Sequence, residues 1–182
     1  MKELKPIKNI IRAGLEVAKS YDASSIRPVH LFMGVIKHGN NSSCELLLNL
    51  GLDLDSIANL VQELLHINES ESSFTSIIPF TTEAQMVLDN VNAERLLLKD
   101  KEVNTHHLTL SILFQKNAAI TRFLSKFGVE YKTYKKELLN MSMMYNEEPF
   151  GQKDDGTNKA EPKETTNTPI LDNFSRDVSA EA

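Results

Sequence analysis

The first three-quarters of the chain states one pattern twice. "IRPVHLFMGVI", from Ile26, lies over "VNTHHLTLSIL", from Val103, so that His30 falls on His107, a shift of 107 − 30 = 77. The same shift carries Leu31 to Leu108, Val35 to Ile112, Leu47 to Leu124, Leu52 to Val129, Ile57 to Tyr134 and Val61 to Leu138. It also carries Gly51 to Gly128. A repeat this long is a tandem supersecondary unit. It tells against an ordinary enzyme, whose chemistry sits at unique, asymmetric positions.

With 182 residues, 41% of them hydrophobic, the chain can bury one core and leave a tail. The formal net charge of −5 argues against a nucleic-acid partner, which needs a clustered excess of Lys and Arg. One cysteine, Cys44, cannot form an internal disulfide, and a reducing compartment is the natural expectation. The opening "MKELKPIKNIIRAG" lacks the apolar stretch of a signal peptide. No run approaches the roughly 18 apolar residues that span a bilayer. These features predict a cytoplasmic protein with no membrane partner.

The periodicity is helical almost throughout, which predicts an all-α fold. Ile7, Ile10, Ile11, Leu15 and Ala18 form one apolar stripe. Pro28 opens the next helix and Gly39 suits its C-terminal cap. Asn41 can cap a third helix that ends at Gly51, and Asp53 or Asp55 can start a fourth. Residues 1–66 are thus a first four-helix unit, and 67–79, polar in its first half, is a linker between copies. Residues 80–144 form the second unit. Thr81 or Thr82 caps its first helix ahead of the stripe Met86, Val87, Val91 and Leu96, and Thr105 caps its second. About two extra residues are expected around "LLLKDKE". Residues 145–167 are rich in Gly, Pro, Thr, Asn and charge, and read as a flexible tether. Residues 168–182 regain Ile170, Leu171, Phe174 and Val178, too few to fold alone, which suggests that the native polypeptide continues.

No sequence element points to catalysis. GxxxxGK[ST], GxSxG and HExxH are all missing. His106 and His107, being adjacent, point about 100° apart on a helix and make a poor metal pair, so no metal site is expected. His30 and His107 stand near the start of the second helix of each copy. An imidazole that hydrogen-bonds the neighbouring backbone is the plain reading of both, since neither has a partnered nucleophile or carboxylate for proton transfer. Cys44 reads as a buried, inert thiol. Met141, Met143 and Met144 are either an adaptable contact surface or the end of a core helix. Lys132, Lys135 and Lys136 read as a solvated face.

The pieces "PFTTEAQMVLDNVNAE", "IRPVHLFMGVI", "LLLNLGLDLD", "VNTHHLTLSIL" and "FLSKFGVE" occur in two ordered copies. In this the chain resembles the N-terminal double-repeat domain of Clp/Hsp100 AAA+ unfoldases, over about residues 5–142. "TPILDNFSRDVSAEA" is similar to the segment leading into the first ATPase module of ClpC-type members. The resemblance implies two pseudo-symmetric four-helix repeats packed as one domain. It also implies a non-catalytic role in docking substrates and adaptor proteins for a hexameric ATPase that feeds the ClpP protease. As an isolated domain the chain is expected to be a monomer without cofactor, ATP and Mg belonging only to the ATPase modules beyond it.

The resemblance also locates a site. The family's groove between copies is a recurrent binding surface, and the matching residues are Phe80, Thr81, Val29 and His106, with Arg27 at the rim. His30, His107, Gly51 and Gly128 are the structural signature. In some members a Glu precedes the His of each copy and receives phosphorylated arginine. Val29 and His106 stand there, so that route is not expected in this chain. Where the family opens each copy with Phe-Thr, the first copy has Lys5 and Pro6. Phe80 could alternatively be a staple against its own helix. Rival readings are a free-standing helical-repeat protein regulating a Clp machine, and the same domain of a ClpB-type disaggregase.

Overall fold

In a computed structural model, residues 7–66 and 78–146 are described, apart from the side chains of residues 66 and 144–146. Most of the expected linkers, at 67–77 and 147–167, lie outside the described residues, as do 168–182 and Lys5 and Pro6. Every named element is a helix: α1 (Lys8–Ser20), α2 (Pro28–His38), α3 (Ser42–Asn49), α4 (Leu54–His66), α5 (Thr82–Leu98), α6 (Thr105–Phe114), α7 (Ala119–Ser125) and α8 (Tyr131–Asn146). The fold is all-α, as the periodicity predicts.

The helix boundaries follow from local chemistry. Asn41 Oδ1 accepts from the Cys44 N–H at 3.1 Å and starts α3. Asp53 caps α4, accepting from the Asp55 N–H at 3.2 Å, and Thr81 rather than Thr82 caps α5. The cap of α6 is Asn104, not Thr105. Asn104 Oδ1 accepts from His106 N–H at 3.0 Å, leaving Thr105 inside the helix with its hydroxyl turned to the other repeat. Gly51 and Gly128 hold φ of 85° and 77°, the left-handed geometry that ends the third helix of each copy.

The 77-residue shift extends through the first helices. Ile7, Ile10, Gly14 and Val17 map to Ala84, Val87, Val91 and Glu94, and all eight are buried. The expected extra residues before Val103 are therefore not there, because α5 is simply one residue longer at its C-terminal end. The α5 stripe also differs from expectation. Met86 and Leu96 are 52% and 60% exposed, and Leu88 and Glu94 take the inward positions beside Val87 and Val91.

Equivalent helix pairs pack differently. A Cβ on Gly14 would stand 2.7 Å from the His30 carbonyl oxygen, and one on Gly34 would run into the Ile10 carbonyl oxygen. The α1 and α2 backbones therefore touch. In the second repeat Val91 and Ser111 occupy those positions, and no such backbone approach is possible.

The helices form one compact unit. α2 packs on α6, and the third helix of each repeat, while still touching its own repeat, packs on the second and fourth helices of the other. Thus α3 sits against α6 and α8, and α7 against α2 and α4. This exchange places polar and apolar side chains from both copies in one shared core.

Candidate functional site

The entry into α5 is tied to the entry into α2. Ile26 N–H donates to the Pro79 carbonyl at 2.7 Å, and Thr81 N–H donates to the Ile26 carbonyl at 2.9 Å, forming a parallel bridge between Ile26 and Phe80. Pro79, expected in the linker, is thus part of a paired segment. The bridge joins two strand-like turns that each lead into a helix, one from each repeat.

Around it stand three of the five expected contact residues. Phe80 is 36% exposed. The staple alternative fails on identity, because the fourth residue of α5, where a staple needs an apolar partner, is Gln85 and is exposed. Arg27 is half-buried and its Nη2 donates to the Leu65 carbonyl at 2.7 Å, closing the C-terminal end of α4. Thr81 serves the helix, its Oγ1 accepting from the Ala84 N–H at 3.2 Å.

The other two sit elsewhere. Val29 is 3% exposed and belongs to the core, out of a partner's direct reach. His106 is half-buried, and its Nδ1 lies 3.2 Å from the Tyr134 hydroxyl of α8. Burial, with the neighbouring His107, lowers its pKa to about 4.

The signature histidines carry out the same task twice. His30 Nδ1 accepts the Arg27 N–H at 2.9 Å, and His107 Nδ1 accepts the Asn104 N–H at 2.9 Å. Each imidazole thereby satisfies an otherwise unpaired donor at a helix start. That role needs a neutral ring, and burial, with Arg27 beside it, keeps His30 neutral with a pKa near 4. Burial also lowers the pKa of His107, although Asp100 Oδ2 stands 2.9 Å from its Nε2 and pulls the other way.

The residue types give no sign of the polar cluster at the centre of the molecule. Ser43 Oγ of α3 lies 2.9 Å from Thr109 Oγ1 and 2.8 Å from the Tyr134 hydroxyl, while Ser42 Oγ lies 3.0 Å from Thr105 Oγ1. Burial pushes the Tyr134 pKa up, so the phenol stays protonated. The repeat itself carries the missing signal. The 77-residue shift sets Ser43, Thr109, Tyr134 and His106 over Ile120, Phe32, Ile57 and Val29, all apolar and buried. The same inter-repeat seam is polar on one side of the pseudo-twofold and apolar on the other.

Among the described residues, no group of three or more His, Cys, Asp or Glu is placed to hold a metal ion. None of the described helices is long and apolar enough to cross a membrane. Cys44 is buried 3.5 Å from the Val35 carbonyl, and burial raises its thiol pKa, which leaves it unreactive.

Comparison with known proteins follows the same outline. Residues 5–153 match the family described as the Clp repeat (R) N-terminal domain. The chaperone protein ClpB of Oceanobacillus iheyensis is 22% identical over 173 residues, 95% of this chain and 20% of that protein. The Bacillus subtilis protein named negative regulator of genetic competence ClpC/MecB is 23% identical over 171 residues, 94% of this chain and 20% of its own length. The chain thus spans about a fifth of the length of these relatives. In fold it is similar to the Hsp104 N-terminal domain of Candida albicans, with a TM-score of 0.64 and 20% identity, covering 76% of this chain and 89% of that one. The N-terminal domain of the chaperone ClpD from Arabidopsis thaliana has a TM-score of 0.59 and 16% identity, covering 76% and 93%.

Proposed function

This chain belongs to the Clp repeat (R) N-terminal domain family, and on that premise we propose that it docks substrates and adaptor proteins for an ATP-dependent Clp unfoldase of ClpC type. The observation that carries the reading is the Ile26–Phe80 bridge. It fixes an aromatic side chain at the surface where the two repeats meet. Such an aromatic, on a backbone held from both sides, binds an exposed apolar segment at little ordering cost. Phe80 is the anchor and Arg27 the polar rim. Thr81 caps the helix beneath it and Val29 packs in the core, while His106 lies apart from this surface, against Tyr134.

In this reading the chain is non-catalytic. ATP hydrolysis, the hexameric ring and hand-over to ClpP belong to the parent protein, in a cytoplasmic compartment. Capture by a domain joined covalently to the ring keeps cargo at high effective concentration near it. The ClpB relative, matched along 95% of this chain, favours a second reading as the equivalent domain of a disaggregase. Co-purification of the full-length parent with ClpP separates the two, since only a ClpC-type parent feeds that protease.

The docking role is tested by titrating residues 1–182 into fluorescein-labelled casein and following anisotropy. Phe80→Ser should weaken binding about tenfold, as loss of an interface anchor does, with an unchanged melting temperature. Equal binding by wild type and variant would remove Phe80, and the inter-repeat surface with it, from the proposal.

A further inference from the structure

We propose that a second surface, the cleft between α6, α7 and α8 of the second repeat, takes an acidic peptide segment bearing an apolar side chain. The cleft has a volume of about 580 Å³. Its floor is apolar: Leu113 and Val129 are buried beneath it. One wall is aromatic, where Phe114, 55% exposed, meets Tyr131 edge-on with ring centroids 5.7 Å apart. The rim is cationic, with Lys116, Arg122 and Lys132 against the single carboxylate of Glu130. All three cations are exposed, and among the described residues none of them makes an ion pair.

The repeat supplies an internal comparison. At the equivalent positions of the first repeat, Glu45 stands for Arg122, Asp55 for Lys132 and Gly39 for Lys116, while Leu52 keeps the floor position of Val129. The fold therefore requires the floor and not the charge. Three cations thus surround one apolar recess with a single carboxylate among them, and the complement of that arrangement is an anionic chain with an apolar anchor.

The size of the recess favours a peptide over a folded partner. A volume of about 580 Å³ suits one or two side chains. A stable contact between folded domains needs about 800 Å² from each partner. This surface is separate from the Phe80 site, and neither depends on the other.

The probe is a fluorescein-labelled peptide of Asp and Glu around a central Phe-Leu pair, titrated with residues 1–182. It should bind, and raising the salt from 50 to 500 mM should weaken it. Arg122→Glu combined with Lys132→Asp, which installs the first repeat's own residues, should weaken binding about tenfold, roughly the sum of two rim-charge effects. Lys116→Glu should act in the same direction, and Phe80→Ser should leave this binding unchanged. Three results would overturn the proposal: equal binding by the double variant, equal binding of a Lys-substituted peptide, or loss on Phe80→Ser. Concentration-dependent dimerisation of the unliganded chain, abolished by the double variant, would also overturn it by assigning the cleft to a second copy.

Discussion

The Tyr134 hydroxyl lies 2.8 Å from Ser43 Oγ, joining the last helix of the second repeat to the third helix of the first. Both groups are buried, and both make further contacts, Ser43 to Thr109 and Tyr134 to His106. A seam between two bundles is usually sealed by apolar contact alone, as its other side is here, with Ile120, Phe32 and Ile57. A satisfied polar cluster instead makes one alignment of the two units strongly preferred, because sliding either would strand hydroxyls away from water.

Tyr134→Phe should destabilise the chain by about 1–2 kcal/mol, since Ser43 and His106 lose a buried partner. Urea unfolding measures this. Ser43→Ala in the same background should cost less than it does alone, with a coupling of about 0.5 kcal/mol or more. Strict additivity would show that the hydrogen bond does not join the repeats.

Gly34→Ala should cost about 3 kcal/mol, because its Cβ meets the Ile10 carbonyl and the α1–α2 backbones would have to part. Its counterpart Ser111 behaves in the opposite way. The Ser111 hydroxyl is buried and has no hydrogen-bond partner among the described residues, so Ser111→Ala should be neutral or stabilising by about 1 kcal/mol. Thermal melts of the two variants should shift in different directions or by clearly unequal amounts.

Stability should fall as pH drops from 6.5 toward 4. Unfolded imidazoles take up a proton near pH 6.5, whereas His30 and His106 in the fold do so only near 4. Between these values the unfolded chain binds more protons, and acid favours it by up to about 1.4 kcal/mol per pH unit for each histidine. Above 6.5 the contribution is complete. Urea midpoints at pH 7.0, 5.5 and 4.5 should therefore decline. A flat or rising series contradicts the neutral-ring assignment.

Thr81→Ala should cost about 1 kcal/mol through the lost cap on α5, and Asn104→Ala a similar amount on α6. Denaturant midpoints check both. Restoration by Thr81→Ser but not by Thr81→Val would identify the oxygen, rather than bulk, as the cause.

The repeat was legible because its markers are backbone requirements: a histidine that must accept an N–H at a helix start, and a glycine that must hold positive φ at a helix end. Caps were legible to within a residue. Asn104 escaped notice because Thr105 is an equally good capping type, and only the position of its hydroxyl, 3.0 Å from Ser42, decides between them. The α5 stripe misled for a different reason. Helical spacing admits Met86 and Leu96, but α6 and α2 pack on a different face of α5, and Leu88 and Glu94 are the residues buried. Glu94 can be buried there because the Tyr131 hydroxyl donates to its carboxylate at 3.0 Å. Of the site, the aromatic at Phe80 was readable from the motif. The bridge that holds it was not, since backbone pairing between turns 54 positions apart leaves no mark on residue type (80 − 26 = 54).

The two-sided seam also decides which halves recognise each other. If two first repeats from neighbouring chains met through this surface, Ser43 of each would face Phe32 and Ile57, with no hydroxyl to answer it. If two second repeats met, Thr109 and Tyr134 would face Ile120 and be stranded in the same way. Only unlike halves pair the hydroxyls of Ser43, Thr109 and Tyr134. That mismatch penalises like-with-like pairing between neighbouring chains and favours closure of each first half on the second half of its own chain.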